Sequence, residues 1–142
     1  VLPAPETLEE EMDIVKTRVA QLSENLDLNA ALPKDAVIEK ICTIFRELRQ
    51  GETLDKKQKV KAPGGVLSSA EAISLLCNSM ALSGSFGNGE ISDEDIAAGL
   101  QGAIVKDDDK DSLAWKEYLE NIMKKRGSSW SGLYKACREL NE

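Results

Sequence analysis

The chain has 142 residues, 30% of them charged, and a formal charge of −7 at neutral pH. That balance is soluble and globular rather than disordered. It disfavours non-specific nucleic-acid binding, which needs Lys and Arg against phosphates. There is no histidine, which removes histidine acid–base catalysis, Ser–His and Cys–His pairs, and most catalytic zinc sites.

A chain of this length can bury roughly 70% of the surface its unfolded form exposes. No apolar run approaches the roughly 20 residues of a membrane span, and no leader pattern is visible. A cytoplasmic location is therefore expected, with no membrane or nucleic-acid partner. The sequence opens at Val1 rather than Met, so a processed or excised chain is also expected.

The first helix is announced by Thr7-x-x-Glu10, a capping box in which each side chain satisfies an orphan amide. Leu8, Met12, Val15, Val19, Leu22 and Leu26 follow at spacings of four and three, one apolar stripe. Pro33 suits the first turn of a second helix. Its stripe is Val37, Ile38, Ile41, Cys42, Phe45 and Leu48, and Gly51 is placed to end it. Residues 52–67 carry four lysines, Pro63 and the pair Gly64–Gly65 with little periodicity. They predict a loop, with room for a short β-hairpin through Val60 and Val66.

Ser68-x-x-Glu71 is a second capping box, leading into Ile73, Leu76, Cys77 and Met80, and this helix should fade at Ser83–Gly84. A fourth helix starts with Ser92 as N-cap, Ile91 and Ile96 as a hydrophobic staple, and Asp93, Glu94 and Asp95 at the positive end of the dipole. Its stripe continues through Leu100, Ala103 and Ile104. The fifth carries Trp115, Tyr118, Leu119, Ile122 and Met123 and ends on Lys124, Lys125, Arg126 and Gly127. The last carries Trp130, Leu133, Tyr134, Cys137 and Leu140. The sum is an all-α bundle of about six helices in a single helical domain, 1–142. The aromatic residues lie on the stripes and read as core. Cys42, Cys77 and Cys137 lie among apolar residues and read as three buried, reduced thiols.

Two acidic runs invite a calcium reading. "GNGEISDED" (87–95) places Gly89 where an EF-hand loop has its glycine. Ligand positions 1 and 3 then fall on Gly84 and Phe86, which have no side-chain oxygen. "DDDKD" (107–111), counted from Asp109, puts Leu113 and Ala114 at positions 5 and 6. Both runs are better read as helix starts. Glu9, Glu10 and Glu11 are consecutive and cannot all face one cleft. No GxxxxGK[ST], GxGxxG or HExxH motif is present. The residues alone describe a binding or regulatory module. One form of it is a free-standing helical adaptor, with the first helix's stripe as its partner surface.

The order of the motifs resembles one family. "VLPAPETLEEEMDIVKTRV" resembles the segment that leaves the core of MoxR-type AAA+ ATPases for their helical lid. "LPKDAVIEKICTIFRELRQG" resembles the next lid helix, whose recurrent arginine is here Arg49. "VKAPGGVLSSAEAISLL" resembles the turn and helix that carry the sensor-2 motif, and "AAGLQGAIVKDDDKD…WKEYLENIMKKR…W..LY.ACREL" resembles a C-terminal extension. The resemblance implies a lid over 1–105 with an extension over 106–142. It implies a missing core domain that binds ATP and Mg, and a ring of subunits. It also implies chaperone-like remodelling of partners such as von Willebrand factor A-type proteins. The nucleotide-facing residues it implies are Arg49, Lys59, Lys61, Ser68, Ser69, Ala70 and Glu71. Ala70 or Glu71 stands where the family has its sensor-2 arginine, and Lys59 or Lys61 is the nearest substitute cation. With no P-loop of its own, the chain alone is not expected to hydrolyse ATP.

Overall fold

The computed structural model describes residues 7–25, 34–53, 59, 69–86, 92–105 and 110–140. Among them are six α-helices: α1 (Leu8–Asn25), α2 (Asp35–Gln50), α3 (Ser69–Phe86), α4 (Asp93–Ile104), α5 (Lys110–Asn121) and α6 (Ser128–Leu140). A 3₁₀ turn, Met123–Lys125, joins α5 to α6. The fold is an all-α helical bundle. No helix among the described residues is long and apolar enough to cross a membrane.

Local chemistry sets the ends. Thr7 Oγ1 accepts from the Glu10 amide at 3.1 Å, which starts α1. Ser92 Oγ accepts from the Asp95 amide at 3.1 Å and does the same for α4. Gly51 closes α2 with φ 77° and donates its amide to the Glu47 carbonyl, a left-handed cap that glycine adopts without a Cβ penalty. Gly127, at φ 91°, performs the reversal into α6.

Packing follows the stripes. α1 lies against α2 and α3, α3 against α4, and α4 against α6, while α5 and the 3₁₀ turn close on α6. Val15 and Val19 are buried, and Leu8 and Met12 pack against the same core. These four residues of the α1 stripe are thus used inside the bundle and do not form a partner surface. Trp115 and Tyr118 are buried and stacked, their ring centroids 5.6 Å apart. Trp130 and Tyr134 sit half-buried at the edge of the core.

Two boundaries differ from the sequence expectation. α3 runs on to Phe86 rather than fading at Ser83–Gly84, since one glycine inside a packed helix costs only about 1 kcal/mol. α5 stops at Asn121 and tightens into the 3₁₀ turn, which still holds Ile122 and Met123 against the core. After Gly51 the described residues show an isolated antiparallel bridge between Glu52 and Lys59 and no strand. Val60 and Val66, the expected hairpin positions, lie outside the described residues. So do Leu26, Pro33, Pro63, Gly64, Gly65, Gly89 and Ile91 and the acids at 107–109.

Candidate functional site

The densest chemistry lies along α2, the most enclosed helix. Every residue from Ile41 to Leu48 is buried, including Thr43, Arg46 and Glu47. A helix buried on several sides has no solvent face for charge, so its charges must be paired. Arg46 and Arg49 are three apart and share one face. Both donate to Glu11 Oε1 of α1, at 3.0 and 2.7 Å, and the Glu11 side chain is fully buried.

Glu47 is one position round from Arg46 and looks elsewhere. Its carboxylate accepts from the Tyr118 hydroxyl at 2.7 Å and pairs with the Arg126 guanidinium. Arg126 also lies 4.9 Å from the centre of the Trp130 ring, a cation–π distance. α2 therefore binds α1 through one carboxylate and the α5–α6 joint through another. Burial, reinforced by the Glu47 charge, holds the Tyr118 hydroxyl well above its ordinary pKa, so it stays a neutral donor.

The residues expected to face nucleotide fall into two groups. Arg49 lies in the last turn of α2 with its guanidinium on Glu11 and its side chain 22% exposed. Lys59 is exposed and lies 3.4 Å from Glu52. The second group opens α3: Ser69 is its first residue, Ala70 is exposed and Glu71 is half-buried in the first turn. Ser68 and Lys61 lie outside the described residues. A groove of about 720 Å³ begins at Ala70 and Glu71 and runs between α3 and α4.

A family model described as the YehL-like AAA+ ATPase C-terminal domain matches residues 9–142. The chain belongs to that family. It is 25% identical over 132 residues to the uncharacterized protein YehL of Escherichia coli strain K12, covering 92% of this chain. It spans 36% of that relative's length. No solved structure matches it.

As a YehL-like domain, the chain is the C-terminal region of an AAA+ ATPase, and its residues can be tested for fit to nucleotide and metal. Among the described residues no cluster of three or more Cys, Asp or Glu could hold a metal ion. Glu71 sets a carboxylate in the first turn of α3, where a phosphate would want a cation.

The three cysteines of the YehL-like domain are not activated thiols. None of the three is in a disulfide. Burial pushes the Cys42 thiol up to about 12, with the Glu11 charge adding to it. Burial and then the Asp93 charge push Cys137 to about 12. Thiols held this high stay protonated and inert near neutrality. Cys77 is half-buried rather than buried, and its pKa is raised by burial.

Sequence reading missed Glu11, Arg46, Glu47, Tyr118 and Arg126 as a set. One signal was present for Glu11: it lies four before Val15 and eight before Val19, in their row. Another was Arg46–Glu47 inside the apolar run "CTIFREL".

Proposed function

We propose that this region is the helical lid of a MoxR-like AAA+ ATPase, closing over nucleotide held by a separate core domain and passing its motion around a ring. The observation that carries the reading is the family match from residue 9 to the end of the chain. The MoxR subdivision, the ring, chaperone-like remodelling and a von Willebrand factor A-type partner belong to the same proposal. They rest on the order of the sequence motifs.

The structure supports a mechanical part for α2. A lid that transmits motion must move as one piece. Two buried carboxylates, Glu11 of α1 and Glu47 of α2, tie α1 and the α5–α6 joint to α2. Buried pairs resist separation because each separated charge would be left desolvated. ATP and Mg would be held by core residues outside this chain, with Ser68, Ser69, Ala70 and Glu71 at the covering edge and Arg49, Lys59 or Lys61 nearby.

Hydrogen exchange on the full gene product tests this. Saturating ATP analogue should slow exchange of the amides at the start of α3 by at least about tenfold, as expected of amides that become covered or bonded. Exchange there that is the same with and without nucleotide contradicts the lid reading.

A further inference from the structure

The groove between α3 and α4 has a composition unlike the rest of the surface. From Ala72 to Phe86 and again from Ile96 to Ile104 there is no charged residue, in a chain that is 30% charged. Yet this wall is not hidden: Ser74, Asn78, Ala98 and Gly102 are exposed. Solvated helix faces ordinarily carry charge, and the centres of protein interfaces are depleted of it. Leu75 and Ser79 are buried below.

The charges are confined to the two ends. Leu75 meets Gly99, where an added Cβ would lie 2.8 Å from Leu75 Cγ, so the helices approach closely at that point. The short connection at 87–92 makes α3 and α4 antiparallel neighbours. With Leu75 opposite Gly99 setting the register, Glu71 falls level with Ala103 at one end and Asp95 level with Ser79 at the other, and all four line the groove. Positions 71 and 79 are about 12 Å apart along a helix rising 1.5 Å per residue. Asp95 is the acid of that end that lines the groove; Asp93, in the same first turn, lies against Gly132 of α6. Glu71 also has an interaction within the chain.

The geometry points to a docking groove for a basic amphipathic helix of a partner protein. Such a helix places Lys or Arg about seven positions apart, about 10.5 Å, with apolar residues between them on the same face. The cations meet the acidic ends and the apolar residues cover the uncharged floor. A second copy of this chain fits poorly, because a chain of charge −7 brings like charge to an acidic rim.

The probe is a short synthetic helical peptide with two lysines at that spacing and leucines between them, titrated into the 142-residue chain by calorimetry. Its control has both lysines replaced by glutamate. The lysine peptide should bind, and the glutamate peptide should bind at least about tenfold more weakly, as two surface attractions become repulsions. Gly102→Trp should abolish binding. Nothing lies within 4 Å of a Cβ at Gly102, so the variant fills the groove without straining the fold, which circular dichroism checks. Asp95→Asn, a milder change, should weaken binding by a few-fold. The proposal is overturned by equal affinity for both peptides, by binding that survives Gly102→Trp, or by no binding up to about 1 mM. It is also overturned if Gly102→Trp instead breaks up a self-associated form, which would make the occupant a second copy.

Discussion

Replacing Glu11 by Gln removes a carboxylate that two guanidiniums share and keeps its volume. Glu11 Oε1 accepts from Arg46 at 3.0 Å and from Arg49 at 2.7 Å. The side chains are 0% exposed for Glu11, 6% for Arg46 and 22% for Arg49. A glutamine amide oxygen can still accept a hydrogen bond but brings no charge. Arg46 and Arg49 would then face each other across a desolvated space. Breaking a buried pair in this way costs about 3–5 kcal/mol. That is a large share of the roughly 5–15 kcal/mol that holds a domain folded. At roughly 3 °C per kcal/mol for a chain of this size, Tm should fall by about 10 °C. Urea unfolding followed by circular dichroism gives the free energy directly. The triple change Glu11→Leu, Arg46→Met and Arg49→Met removes the carboxylate and both guanidiniums and should cost less than Glu11→Gln alone, since apolar replacement of a whole buried ionic cluster is often neutral. A Glu11→Gln loss below about 0.5 kcal/mol, the range of an ordinary surface substitution, would refute the claim that this pair is a buried constraint.

Three further outcomes come from the packing and the titrations. Gly99→Ala should destabilise by about 1–2 kcal/mol in urea unfolding, because the new Cβ would lie 2.8 Å from Leu75 Cγ and overpacking outweighs the gain in helix propensity. Gly102→Ala meets nothing within 4 Å and should instead stabilise by up to about 1 kcal/mol. The thiols of Cys42 and Cys137 are raised from 9.0 to about 12 in the fold. The unfolded chain gives up these protons first, so their contribution is complete below pH 9 and is lost as pH rises toward about 12. The urea midpoint should therefore fall between about pH 8 and about pH 10.5, and fall less in Cys137→Ala.

What the sequence revealed was what is local. Thr7, Gly51, Ser92 and Gly127 act on amides and dihedrals within a few residues, so their types and spacing are sufficient signals. The stripes of α1 and α2 likewise state which side is covered. They do not state how many sides are covered. The α2 stripe reads as one face, yet Thr43, Arg46 and Glu47 off that face are buried too, because α1 and α5 contribute partners from both directions. Those partners lie 35 and 71 residues away, beyond any periodic pattern. Tyr118 read correctly as core, but its hydroxyl partner was invisible. Arg49 was singled out by family likeness, and the likeness gave no hint of Glu11. The groove was half legible: the loss of charge after Glu71 is plain in the sequence, but its exposure required the fold.

The most direct test of the central claim compares ATP turnover by the full gene product, by the same product cut before this region, and by residues 1–142 alone. If this region is the lid of an AAA+ ATPase, the full product hydrolyses ATP, the cut product loses most of that turnover, and the isolated region has none. Turnover by residues 1–142 alone, or a cut product as fast as the whole, would contradict the account.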